Sequence, residues 1–89
     1  MRRNPDFLLR QVADSVVVVP VGAATEKFPG MITLNDTGRC IWELLETEHT
    51  LDSLADAIAA RYEVERDQAR QDVEAFVARL IPTGAILES

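Results

Sequence analysis

His49, Cys40 and a few neighbouring carboxylates are the residues whose types could do chemistry, and their spacing argues against it. His49 sits in the polar connection Glu48-His49-Thr50 with no sequence neighbour to orient or activate it, so it reads as a solvated loop residue. Cys40 falls on the apolar arc of a helical stretch and reads as a small buried hydrophobe rather than a reactive thiol. Glu43 with Glu46, and Asp52 with Asp56, stand at ordinary helical spacing on polar faces. No burial or charged partner there would tune a carboxyl for acid-base work. A single cysteine and a single histidine cannot build a zinc cage, and no Gly-rich phosphate loop, serine elbow or His-Glu zinc motif occurs. The expectation is a chain without catalytic residues, metal or cofactor.

Binding is the remaining class of function, and it depends on the elements that display a surface. The stretch Leu34 to Leu45 is where strand periodicity gives way to helix periodicity. Asn35 has the side chain of an N-cap and Asp36 adds negative charge at the positive helix end, so the first helix starts there. Thr37, Cys40, Ile41, Leu44 and Leu45 form its apolar arc, widened by Gly38 and Trp42, with Trp42 read as core. Upstream, Phe7–Ala13 and Ser15–Pro20 read as strands joined by a tight turn at Ala13-Asp14. Val21 to Gly30 reads as a loop with a short extended piece at Glu26–Phe28. Met31–Leu34 is a third short strand, placed at a sheet edge because the nearby Pro29 lacks an amide hydrogen.

Downstream, Thr50 is an N-cap for a second helix with the stripe Leu51, Leu54, Ala55, Ile58, Ala59 and Tyr62. A third helix spans about Glu65 to Ile81, with Ala69, Val73, Phe76, Val77 and Leu80 on one face, and ends at Pro82 and Gly84. Ala85-Ile86-Leu87 could add a small terminal strand. The layout is α+β: a three-stranded antiparallel sheet followed by three helices, compatible with a winged helix-turn-helix.

With 89 residues the chain is read as one domain, 1–89. Nine basic against fifteen acidic residues give a net charge of −6 with no Lys/Arg cluster beyond Arg10, which disfavours nucleic acid as a partner. No run approaches the roughly 18 apolar residues needed to span a bilayer, so the default is cytoplasmic with no membrane partner. A short, Pro-flanked edge strand beside an apolar helix face is a slot that an extended peptide could complete.

The run Gly30-Met31-Ile32-Thr33-Leu34-Asn35-Asp36-Thr37-Gly38, then Ile41-Trp42-Glu43-Leu44-Leu45, resembles the Leu-Asn-x-Thr-Gly…Ile-Trp-x-Leu-Leu pattern of the pyrroloquinoline quinone biosynthesis protein D (PqqD-like) family. The likeness continues through Thr50-Leu51, Leu54-Ala55, Tyr62-Glu63-Val64 and Phe76-Val77 to Gly84, and so covers the chain from Phe7 onward. The resemblance implies a non-catalytic recognition element for ribosomally made, modified peptides. Such an adaptor binds the leader of a precursor peptide and presents it to a modifying enzyme, for example a radical S-adenosylmethionine (radical SAM) protein. It implies a slot lined by Met31, Ile32, Thr33 and Leu34 from the strand and by residues among Arg70, Val73, Phe76, Val77 and Leu80 from the third helix; spacing leaves open which of them face the peptide. Pro82, where relatives continue the helix, implies a shorter or bent far end of the slot. The absent Gly-x-Tyr-Trp-x-Leu-Asn approach points away from the lasso-peptide subclass. The rival readings are a winged-helix DNA-binding regulator and a structural subunit or homodimer joined edge to edge by the third strand.

Overall fold

The computed structural model describes residues 1–88. Its elements are β1 (Arg2–Arg3), β2 (Phe7–Val12), β3 (Ser15–Pro20), α1 (Ala24–Lys27), β4 (Ile32–Leu34), α2 (Asp36–Leu44), α3 (Leu51–Tyr62), α4 (Arg66–Leu80), a 3-10 turn (Ile81–Thr83) and β5 (Ile86–Leu87). The expected α+β layout is present: β2, β3 and β4 form an antiparallel sheet in that order, and the three long helices follow. The β-branched run Val16 to Val19 makes β3 the central strand, where Val17 and Val18 are both buried, on opposite faces of the sheet. Ala13 supplies the positive φ of 53° that closes the two-residue turn to β2.

One core joins the sheet to the helices. Phe7, Val18, Ile32 and Leu34 meet Ile41, Trp42 and Leu45 of the α2 segment, Leu54 and Ile58 of α3, and Val73, Phe76, Val77 and Leu80 of α4. Trp42 is 1% exposed and is core, as expected. Both foreseen N-caps form: the Gly38 N–H donates to Asn35 Oδ1 at 2.7 Å, and Thr50 and Ser53 make a reciprocal capping box. The buried centre of α2 is Gly38, Ile41, Trp42 and Leu45, with Thr37, Cys40 and Leu44 only half-buried. The apolar arc is thus turned toward Trp42, because sheet and α4 both press on that side.

Three features depart from expectation. The extended piece expected at Glu26–Phe28 is instead a one-turn helix, Ala24–Lys27, which swings Phe28 to within 6.5 Å of the Phe7 ring, centroid to centroid. The third strand begins at Ile32, leaving Met31 outside it and 60% exposed. The N-terminal residues, unassigned from sequence, pair as β1 with the foreseen terminal strand β5, through Arg2 opposite Leu87 and Arg3 opposite Ile86. Arg3 also donates from its backbone to the Leu45 carbonyl at 2.9 Å and lays its guanidinium over the Trp42 ring, 5.9 Å from the centroid. At Gly84 the 3-10 turn stops with φ of 87°, a left-handed conformation that favours glycine.

Candidate functional site

The outer margin of β4 has no strand beside it among the described residues, and the hairpin register fixes which of its backbone groups face outward. A two-residue turn makes Val12 and Ser15 a hydrogen-bonded pair, so Ser15, Val17 and Val19 turn their N–H and C=O groups toward β2. Val16 and Val18 therefore turn theirs toward β4, where they meet Leu34 and Ile32. Thr33, between those two, is left with its N–H and C=O pointing away from the sheet, and the Met31 C=O, in the trans peptide unit whose Ile32 N–H faces Val18, points outward as well. One side-chain contact agrees with this phase. Arg79 of α4 donates from Nη2 to the Thr33 carbonyl at 2.6 Å, bridging helix and strand edge.

Beside this edge, α2 and α4 enclose a surface hollow of about 290 Å³. Asn35, Thr37, Gly38 and Ile41 line one wall, and Asp72, Ala75, Phe76 and Arg79 the other. Those four α4 residues recur at i, i+3, i+4 and i+7, one step round the helix from the core stripe. The helices approach closely at Gly38: a Cβ there would stand 3.1 Å from both the Phe76 ring and Asn35 Oδ1. Absence of a side chain at Gly38 thus sets the depth of the hollow and lets Phe76, 7% exposed, form its floor.

The residues expected to line the slot separate into groups. Met31 and the exposed Thr33 lie on the open margin, whereas Ile32 and Leu34 point into the core at 5% and 7% exposure. On α4, Val73 and Leu80 are fully enclosed and Val77 is 5% exposed, leaving Phe76 as the residue of that set which reaches the hollow. Arg70 is on a different flank of the helix. It pairs with Asp52 of α3 and with Glu74, whose Oε1 is 2.7 Å from Arg70 Nε, and it lines a separate depression with His49 and Leu51. Sequence reasoning missed Asp72, Ala75 and Arg79, because hydrophobic periodicity marks what the core takes up, and a groove beside the core is walled by small and polar neighbours. The available signal was the second stripe itself, offset by one position.

Cys40, His49 and the carboxylate pairs Glu43/Glu46 and Asp52/Asp56 are not among the residues that line the hollow. His49 is half-buried rather than solvated, with Nδ1 2.9 Å from Ser53 Oγ, but that hydroxyl is already engaged with both backbone groups of Thr50 in the capping box. Cys40 is half-buried near Asp36, Arg39 and Tyr62, at the edge of the α2 apolar arc and outside the hollow. Among the described residues no group of His, Cys, Asp and Glu could hold a metal ion, and no helix is long and apolar enough to cross a membrane.

The sequence model of the family described as coenzyme PQQ synthesis protein D (PqqD) matches residues 15–86. The chain belongs to the PqqD family. The match leaves β1 and β2 outside it, so the first strand of the hairpin in this PqqD-family chain lies beyond the matched region, which begins at Ser15 and not at Phe7 as the resemblance had implied. Two solved structures share the fold over nearly their full lengths. TbiB1 in complex with the TbiA(beta) leader peptide has a TM-score of 0.76 at 24% identity, covering 100% of this chain and 98% of that one. Lasso peptide synthetase B1 complexed with the leader peptide has a TM-score of 0.73 at 28% identity, covering 98% and 96%. No curated protein matches the sequence. The absent Gly-x-Tyr-Trp approach therefore does not separate this PqqD-family fold from that of a lasso-peptide protein; the Val21–Gly30 region, with its one-turn helix, is accommodated on the same framework.

Proposed function

We propose that this chain is a non-catalytic adaptor that binds the leader segment of a ribosomally made precursor peptide and presents it to a separate modifying enzyme, most simply a radical SAM protein. The observation that carries the reading is the vacant margin of β4, with the outward N–H and C=O of Thr33 and the outward C=O of Met31, opening beside the α2–α4 hollow. A leader laid there as a fourth strand would gain backbone hydrogen bonds along β4, and alternate side chains would enter the hollow over Phe76. Met31, Thr33, Phe76, Ala75, Asp72 and Arg79 are the residues assigned to the guest. Family membership and the fold neighbours solved with leader peptides support leader binding as the function. Tethering the precursor at this site would raise its effective concentration at the enzyme's active site, so the adaptor needs no reactive group of its own.

The charges of α4 weigh against a duplex-binding role. Arg66 is tied to Asp56 and Asp52, which hold its guanidinium pKa above the ordinary value, and Arg70 is tied to Asp52 and Glu74. The exposed face of the helix is therefore mixed in sign, not the basic surface that replaces phosphate counterions.

Calorimetry with the leader of the precursor encoded beside this chain tests the proposal. Saturable heat with about one peptide per chain is expected, with amide shift changes concentrated at Met31, Thr33 and Phe76. No heat and no shift change at about 100 μM peptide would overturn it, since even a millimolar Kd corresponds to about −4 kcal/mol and still leaves detectable shifts.

A further inference from the structure

Of the three arginines on α4, two are held by carboxylates of the chain itself, whereas Arg79 pairs with no carboxylate among the described residues and rests on a backbone carbonyl. That carbonyl belongs to Thr33, one of the outward groups a guest strand needs. A guest amide hydrogen would share this oxygen, which has two lone pairs, with the Arg79 guanidinium; the sharing weakens the guanidinium's hold and leaves its other donors open at the mouth of the hollow. A guanidinium presents five donors and no acceptor, and it binds a carboxylate in a planar two-bond geometry that no neutral group reproduces.

Resting on the leader-binding reading, we propose that Arg79 is the specificity contact of the site: it selects peptides with an Asp or Glu side chain beside the residue paired with Thr33. In the free protein Arg79 covers the edge carbonyl; in the complex it exchanges that contact for the guest carboxylate. The opposite end of the same helix stripe carries Asp72, seven residues away and about 10.5 Å along the axis. A strand rises about 3.3 Å per residue and returns a side chain to the same face every second residue, so an acid two or four residues toward Asp72 faces the hollow close to that like charge. The hollow therefore has a direction: it favours one acidic position and disfavours a second at the other end.

The test pans a phage-displayed library of random dodecapeptides on the full chain and on its R79Q, R79E and T33P variants. Binders to the unmodified chain are expected to share one acidic position, R79E to enrich Lys or Arg there, and R79Q to show neither preference. A fluorescent copy of the best binder is then measured by anisotropy with its acid changed to the amide. The change is expected to weaken binding about 3- to 30-fold to the unmodified chain, in line with a partly shielded charge-assisted hydrogen bond, and to leave binding to R79Q unaltered. Binders without a shared acidic position, or equal losses on the unmodified chain and R79Q, would overturn this inference. If those binders still depended on Thr33, the leader-binding reading would survive it. Recovery of no binder, or of binders that T33P retains in full, would overturn both.

Discussion

Replacing Thr33 by proline separates the guest's hydrogen bonds from the protein's own. The register turns the Thr33 N–H away from β3, so the native ladder does not use it, and an edge strand tolerates proline at such a position. The Thr33 side chain is exposed, and little packing is lost with it. The variant is expected to melt within about 0.5 kcal/mol of the parent, the usual range for a surface substitution away from special features. Binding should fall. The guest carbonyl opposite Thr33 loses its donor, and leaving such a group unpaired costs about 1–3 kcal/mol. At about 1.4 kcal/mol per decade, that is about a 5- to 140-fold increase in Kd, before counting the ring carbon that now occupies the guest's path. Fluorescence anisotropy with labelled leader measures Kd, and circular dichroism on the same sample verifies the fold. A folded T33P variant with the parent's affinity would refute strand addition at this margin. Ile32→Pro is not an equivalent probe: its N–H faces Val18 and its side chain is 5% exposed, so stability falls instead of the contact with the guest.

Gly38→Ala is expected to push the Phe76 ring outward by a few tenths of an ångström and weaken leader binding several-fold. Its stability should change by no more than about 1 kcal/mol, because the loss of glycine's backbone freedom in the unfolded chain and the crowding against Phe76 and Asn35 Oδ1 oppose each other. Arg70→Gln should leave leader affinity unchanged, because Arg70 is on the α3 side of α4. Its stability cost should be at most about 1 kcal/mol, as its side chain is 35% exposed. A shift in Kd beyond twofold would place Arg70 in the site after all. Val77→Ala should cost about 2 kcal/mol through the cavity it leaves, lowering the melting temperature by about 8–16 °C, while calorimetry well below the transition finds the parent's affinity.

Where the sequence was informative, the physics was local. Asn35 and Thr50 could be read as caps because their side chains satisfy amides only three residues away, and the β-branched run of β3 fits a pleat wherever it is placed. Edge position followed from Pro29, and burial on α3 and α4 followed from period. What could not be read was set by partners distant in the chain. Arg2 and Arg3 look like a solvated tail until β5, more than eighty residues later, offers them a strand and Trp42 a ring. The extended reading of Glu26–Phe28 lost to a helical turn closed locally, with Thr25 Oγ1 donating to the Gly22 carbonyl at 2.6 Å and Phe28 docking on Phe7. For the site, a stripe such as Val73–Phe76–Val77–Leu80 has one signature whether it meets core or guest, and here the core takes nearly all of it.

The short length of β4 decides how affinity must be divided. Met31 and Thr33 between them offer a guest at most three backbone hydrogen bonds, each worth a net of about 0.5–1.5 kcal/mol, or about 1.5–4.5 kcal/mol together. Micromolar binding requires about 8 kcal/mol after the cost of ordering a flexible peptide. Backbone pairing at this margin therefore cannot hold a leader alone. The deficit has to come from side chains: an apolar anchor over Phe76, worth about 1.5–3 kcal/mol if fully buried, and the charge at Arg79. By the same arithmetic, a second copy of this chain is a poor guest for the open edge. An identical chain brings its own short β4 and its own Arg79, so it would set two guanidinium groups near each other and supply no anchor for the hollow. Leader truncations should accordingly show two steep losses, at the anchor and at the acidic residue. Uniform, gradual losses on shortening would mean that backbone pairing dominates and that this division of the binding energy is wrong.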